Sequence, residues 1–355
     1  MIVNSISLDN FRNHSAISLE FDKGINNILG GNAVGKTSVV EAIYYLSLAR
    51  SFRTNEDDEL IKKGKDKSEI YATVSEGELK RKIRVIITKD NKQVLINGKP
   101  VSRLSELVKI VNVIVFEPKD VMLFRGSPKV RRSFLDISLS KKSSAYFDYI
   151  SKYEKILRER NELLKQEKVN KELLESLTEL LIKSSSSIVA YRQAYVKDIN
   201  DILNKITRAL TGVNEKFELI YKPFVKYDEN FMETAKQAFN SALESDLSKK
   251  ATTIGVHRED FSIALNGRDI GVYGSQGENR IAALALKLSP YFLIEDKDKR
   301  PIIVLDDVMS ELDEENRQRL IKFLKRFEQV FITATDLKID GASHYTIKQK
   351  DKEVF

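Results

Sequence analysis
The residues best suited to do chemistry stand near the start of the chain, where Gly30, Gly31, Asn32, Ala33, Val34, Gly35, Lys36, Thr37 and Ser38 fit the pattern G-x-x-x-x-G-K-[ST]. Glycines at the two fixed positions let the backbone wrap an anion so that successive N–H groups point inward. A helix starting at the lysine adds its positive end. Lys36 then reaches the β- and γ-phosphate oxygens of a nucleotide, and the Thr37 hydroxyl ligates Mg²⁺. The pattern has this mechanism between a strand and a helix; the apolar stretch before Gly30 and the helical spacing after Lys36 predict both.

A second chemical site lies far down the chain. Residues 301–308 read PIIVLDDV, an apolar strand that ends in Asp306 and Asp307. Carboxylates at the end of a buried strand are costly unless they face a cation or water. Asp306 is therefore the expected holder of the magnesium ion or its water shell. Asp307, pointing elsewhere, would orient or deprotonate the water that attacks the γ-phosphate. Between the two sites, residues 274–280 read GSQGENR ahead of a helical stretch at 281–288. The loop of Ser275, Gln276, Gly277 and Glu278 is a second small anion cradle at a helix start; a plain turn with Ser275 capping the helix is the alternative.

The elements that must position these groups can be read from periodicity. Alternating apolar residues predict two strands with a turn near Asn13, a short strand at 26–29, a helix at 37–49 and strands at 70–74, 82–88 and 94–96. From 141 to 205 the chain has no Pro or Gly and takes helical spacing, with a reversal at 166–170. We read two long helices in a hairpin, about 40 Å long at roughly 1.5 Å per residue. Further helices are predicted at 190–210 and 230–246, and a strand at 330–332 follows in the closing α/β stretch.

Composition bounds the class. With 355 residues, 42% of them hydrophobic, the chain can bury one large core or two ordinary ones. Its 59 Lys and Arg against 52 Asp and Glu give +7, which permits a nucleic-acid or anionic-lipid partner without demanding one. No apolar run approaches the roughly 18 to 20 residues of a bilayer span. The N-terminus lacks the basic start and apolar run of a signal peptide. The absence of Cys excludes disulfides, thiolate metal sites and a thiol nucleophile, and a cytoplasmic protein without a membrane partner is expected.

Taken together, GGNAVGKT, GSQGEN and LDDVMSELD resemble the ABC-type ATPase heads of the SMC class. Further stretches narrow the resemblance to the RecF family of bacterial DNA replication and repair proteins: LDNFRNH at 8–14, VVEAIYYLSLARSFRT at 39–54, FEPKDVMLFRGSPKVRRSFLD at 116–136, TTIGVHRED at 252–260 and YGSQGENRIAALALKL at 273–288. It runs nearly end to end and is weakest at 141–250. Lys119 and Val256 depart from the family's pattern, which favours an acid and a proline there. The resemblance implies an α/β fold: an ABC-type P-loop ATPase head, a mixed sheet with flanking helices, over 1–140 and 251–355, with an inserted α-helical arm subdomain at 141–250.

It also implies ATP and Mg²⁺ as cofactors, with Lys36 and Asp307 catalytic and Asp306 and Asp307 as the Walker B pair. Ser275 and Gly277 would act on the γ-phosphate held by a second chain, and residues 310–313 would cross that interface. Arg12 and Asn13 resemble early residues that touch nucleotide in such heads. Thr333 and Thr335 stand at the switch position in place of a histidine. Asp307 is one methylene shorter than the Glu of many ABC ATPases, which implies slow turnover. An ATP-dependent homodimer follows, with double-stranded and gapped DNA as partner and RecO and RecR as companions in loading RecA.

The residues themselves support DNA more weakly, through basic clusters at 62–67, 80–84 and 129–132 and through Arg50 and Arg53 beside Phe52. Such clusters neutralise phosphates without reading bases, and each alone is more often a solvated face. Three rivals make different demands. A transporter subunit would not need the long hydrophilic helical insert. An SMC-type protein with long arms would need a longer insert. A phosphoryl-transfer kinase would need no second anion loop.

Overall fold
The computed structural model describes residues 1–101, 107 and 110–348; within the segments 1–140 and 251–355, positions 102–106, 108–109 and 349–355 lie outside the described residues. Packing divides the chain into two compact units, Met1–Asp120 with Arg208–Val213 and Lys287–Phe355, and Val121–Thr207 with Asn214–Leu286. Along the chain the first unit opens with strands β1 (Ile2–Phe11), β2 (His14–Glu20) and β3 (Gly24–Leu29) and helix α1 (Lys36–Leu48). It continues with β4 (Lys67–Glu76), β5 (Leu79–Thr88), β6 (Lys92–Ile96), β7 (Lys99–Pro100) and β8 (Val113–Phe116).

The second unit holds α2 (Pro128–Lys142), α3 (Ser144–Leu164), α4 (Lys171–Thr211, whose last turn belongs to the first unit), β9 (Phe217–Lys222), α5 (Phe231–Lys249), β10 (Asp260–Leu265), β11 (Arg268–Asp269), the short α6 (Ile270–Tyr273) and the start of α7 (Gln276–Phe292). The chain then completes the first unit with β12 (Ile302–Leu305), α8 (Glu314–Leu324), β13 (Gln329–Ala334) and β14 (Ser343–Thr346).

Two sheets build the first unit. One is antiparallel, in the order β2-β1-β4-β5-β6-β7, and alternates core and surface residues; Ile6, Leu8, Ile70, Ile83, Val85 and Ile87 point into the core. The other runs β14-β3-β13-β12-β8 with every pairing parallel. All six residues of β13 are buried, as expected of a strand covered on both faces. Gln329 on β13 binds the first sheet to the second: its Nε2 donates to the carbonyls of Val3 and Asp22, and its Oε1 accepts from Val3 N–H at 2.8 Å. Because β3, β12 and β13 share a direction, the segments that follow them emerge at one edge of the sheet, where open α/β sheets hold ligands.

In the second unit α3 and α4 run antiparallel. Arg160 Nε donates to Thr178 Oγ1 at 2.9 Å, and Tyr146 meets Tyr191 edge on at 5.8 Å, so rising numbers on one helix oppose falling numbers on the other. The reversal falls at 165–170, as periodicity predicts, but the separate helix read at 190–210 is a correction: α4 continues unbroken from Lys171 through 41 residues, about 60 Å. The segments flanking 141–250 pack with it in this unit. Arg131 forks onto both carboxylate oxygens of Asp260, and Arg192 joins Asp136 to Glu259.

Candidate nucleotide site
Every residue of the first anion loop, with Arg12, Asn13, Asp306 and Asp307, lies in the first unit. The loop leaves β3 at Gly30, which has φ 154°, and enters α1 through Gly35, which has φ 105°. A Cβ at Gly35 would strike the His14 ring and approach Asn13 Oδ1 to 2.7 Å, so both backbone angle and space require glycine. His14 holds the loop from below through a 3.0 Å bond between its Nε2 and the Gly35 carbonyl, and burial lowers its pKa. Asn13 ties the loop from the turn between β1 and β2: its Nδ2 donates to the Ala33 carbonyl and its Oδ1 accepts from the Ser38 hydroxyl, both at 3.2 Å.

Lys36 curls over the loop, its ammonium donating to the carbonyls of Gly30 and Gly31 at 2.7 Å each. Thr37, one residue on, donates to Asp306 Oδ1 at 3.0 Å across 269 positions of sequence. Thr333, at the end of β13, donates to the same oxygen at 2.8 Å and accepts from Asp307 N–H at 2.9 Å. Asp306 is buried and its pKa is raised by desolvation, only partly opposed by these two hydroxyl donors. Asp307 differs in every respect. It is exposed, adopts φ 52° in the left-handed region, and no described side chain or ion pairs with its carboxylate. A non-glycine residue held at such an angle carries strain of about 1 kcal/mol or more, a cost tolerated where the side chain must be aimed. Thr335 is exposed and contributes its carbonyl to Gly30 N–H at 3.3 Å.

These groups fit a magnesium nucleotide. The Thr37 hydroxyl and the Asp306 carboxylate, 3.0 Å apart, are the hard oxygen donors that Mg²⁺ takes. Among the described residues no group of three or more His, Asp or Glu side chains is placed to hold a metal.

Arg12, expected beside the nucleotide, is tied to α1 in this structure. Its Nε and Nη2 fork onto Glu41 at 3.0 and 2.6 Å, and its Nη1 donates to the Glu59 carbonyl at 2.9 Å. Glu41, fully buried on α1 one turn beyond Thr37, also accepts from Ser51 Oγ at 2.5 Å and pairs with Arg53 at 3.4 Å. Sequence reading missed this hub, although a lone acid on the apolar face of VVEAIYYL is the signal that marks it. His14 and Gln329 were missed as well.

Ser275, Gln276, Gly277 and Glu278 belong to the second unit. Ser275 N–H donates to Glu278 Oε2 at 2.5 Å, and Glu278 N–H returns to Ser275 Oγ at 3.2 Å, a reciprocal capping box at the start of α7. The bond from Ser275 N–H lowers the Glu278 pKa. Asn279, fully buried, braces the loop by donating to the carbonyls of Ile270 and Ser275 at 2.9 Å, and Arg125 donates to the Gly274 carbonyl. The helix-cap alternative thus describes the local geometry, and such a cap leaves its N–H groups at an anion-attracting end.

The basic clusters separate. Arg131 is buried and spends its guanidinium on Asp260 and on the carbonyls of Leu123, Phe124 and Gly126, so it is a structural tie rather than a phosphate contact. Lys62 and Lys67 are engaged by Ser15 and Glu69. Lys80 and Lys82 are exposed. Among the described residues no helix is long and apolar enough to cross a membrane.

Comparison with known proteins gives this geometry a context. The family described as the RecF/RecN/SMC N terminal domain matches residues 2–352. The DNA replication and repair protein RecF of Clostridium acetobutylicum is 37% identical over 340 residues, covering 95% of this chain and 93% of the relative. That of Clostridium tetani is 38% identical over 347 residues, covering 95% and 94%. A solved structure of the recombination mediator protein RecF with ATP, in the RecFOR pathway, matches with a TM-score of 0.89 at 35% identity, covering 98% of this chain and 97% of that one. An Smc head bound to the C-winged helix domain of ScpA matches with a TM-score of 0.56 at 16% identity over 95% and 90%, a likeness of fold.

Proposed function
The chain belongs to the RecF family of ABC-type ATPase heads, and on that premise we propose that it is a cytoplasmic, ATP-gated DNA-binding protein of recombinational repair. ATP joins two copies on double-stranded DNA near gaps or junctions, and slow hydrolysis releases them. RecO and RecR act with it in loading RecA; its solved relative is described as a recombination mediator in the RecFOR pathway, which supports this reading. The observation that carries the reading is the meeting of Lys36, Thr37, Asp306 and Thr333 at one edge of the parallel sheet.

Each group has a distinct task. Loop N–H groups and α1 bind the phosphates. Lys36 exchanges two neutral carbonyl acceptors for charged phosphate oxygens, a stronger partner for an ammonium. Thr37 and Asp306 hold Mg²⁺, which when bound neutralises phosphate charge. Asp307, exposed and aimed by its backbone bond to Thr333, orients the attacking water and accepts its proton. Ser275 and Gly277 reach the γ-phosphate of the opposite copy, so that each chain supplies half of each site and nucleotide binding is linked to association. Arg12 acts through Glu41, holding α1 and its Thr37 in place.

Two substitutions test this. Lys36→Arg is expected to impair nucleotide binding or turnover. Ser275→Arg is expected to keep ATP binding, read by equilibrium titration with a fluorescent analogue, while hydrolysis is lost. Ser275→Arg hydrolysing at the native rate would refute a site shared between chains.

A further inference from the structure
The outer face of the antiparallel sheet carries a groove of about 460 Å³ that the nucleotide site does not use. Strand register sets its floor. Ser18, Ser7, Tyr71, Arg84 and Leu95 form one row across β2, β1, β4, β5 and β6, and Glu20, Ser5, Thr73 and Lys82 form the next. Small hydroxyl side chains on β1 leave the space beside Tyr71. The Arg84 guanidinium lies over the Tyr71 ring at 5.1 Å and is fixed there by two bonds to Glu69, which also accepts from the Tyr71 hydroxyl at 2.5 Å. A flat aromatic and guanidinium pair is thus locked in place on an open surface. Beside it, Lys82 and its strand neighbour Lys80 have no carboxylate partner among the described residues.

From this arrangement we infer that the groove binds single-stranded DNA: a base stacks on the Tyr71 and Arg84 platform, Lys82 and Lys80 take the flanking phosphates, and the serine and threonine hydroxyls bond the strand. Charge and shape both select this occupant. Unstacked bases offer π-faces to aromatic and guanidinium planes, which bases inside a duplex cannot, and the unpaired ammonium groups suit a phosphate chain. The contact is tolerant of sequence because every base has a π-face. The inference rests on the DNA-binding reading and adds to it a surface for the unpaired strand of a gap.

The test is fluorescence anisotropy with labelled oligothymidylate and, in parallel, duplex DNA, on the full chain. Tyr71→Leu should weaken oligothymidylate binding at least about fivefold, whereas Tyr71→Phe, which keeps the ring, stays within about twofold. Lys82→Glu should weaken it and reduce the slope of log affinity against log salt by about 0.7 or more. Duplex binding by Tyr71→Leu and nucleotide binding by all three variants should stay near the native values, which also reports that they fold. If the native chain binds duplex but not oligothymidylate, or Tyr71→Leu binds it as the native chain does, the groove is not a strand site. If the native chain binds neither form, the DNA reading itself falls and the groove with it.

Discussion

At the residue scale, the chemistry of single side chains follows from which neighbours can accept a proton. His257 lies between Tyr153 and a carbonyl: its Nε2 is 3.0 Å from Thr252 O, which can only accept, so Nε2 carries the hydrogen and Nδ1 accepts from the Tyr153 hydroxyl at 2.7 Å. Burial, seconded by Arg258 and Arg132, lowers its pKa to about 4, against the bond to Thr252. The folded state therefore disfavours the second proton. The resulting stability is present above about pH 6.5 and is lost as pH falls toward 4. His257→Gln should flatten that loss, read by urea unfolding at pH 7 and pH 5. Asp306 is the opposite case. Its folded pKa is raised, so its charge costs stability at neutral pH. Asp306→Asn, still an acceptor for Thr37 and Thr333, should raise the melting temperature without nucleotide, by about 1 kcal/mol of stability, while ATP hydrolysis falls about a hundredfold or more. A lower melting temperature would contradict the account. The ends of this site were legible in the sequence because Lys36, Thr37 and Asp306 sit at fixed places after apolar strands. Glu41 left a trace, a lone acid on an apolar helix face, but the roles of Glu41, His14 and Arg131 were not legible, because their partners, Arg12, the Gly35 carbonyl and Asp260, are brought to them only by folding.

At the element scale, helix starts and strand ends do the positioning. Gly35→Ala places a side chain at φ 105° against Asn13, and should cost about 1 to 3 kcal/mol and abolish nucleotide binding together. Calorimetric unfolding and nucleotide titration on the same sample check both parts. Arg131 should matter as a brace. Arg131→Met leaves Asp260 without its partner and three carbonyls without a donor, and should destabilise the second unit by about 3 to 5 kcal/mol. A loss under 1 kcal/mol in urea unfolding would return Arg131 to the list of surface cations. Periodicity located β1, β2, α1 and the reversal between α3 and α4 because each is amphipathic. It broke α4 into two readings because Ser184, Ser185, Ser186 and Ser187 interrupt the apolar stripe. In the helix, Ser184 and Ser185 return their hydroxyls to the carbonyls four residues earlier, so the polar run continues the helix instead of ending it.

For the whole molecule, one chain offers a single phosphate loop and a single Ser275 loop, and the proposed cycle needs both loops of two copies. The fold of the head was readable from the order of three motifs, but the two-unit division was not, since ties such as Arg131 to Asp260 join segments 129 positions apart. The measurement that bears most directly on the account is the molar mass in solution, by sedimentation equilibrium, without nucleotide and with ATP and Mg²⁺. The account predicts 40.6 kDa without nucleotide and about twice that with it, and no such doubling for Ser275→Arg. A native chain that binds ATP tightly yet stays at 40.6 kDa, with duplex DNA present or absent, would contradict it.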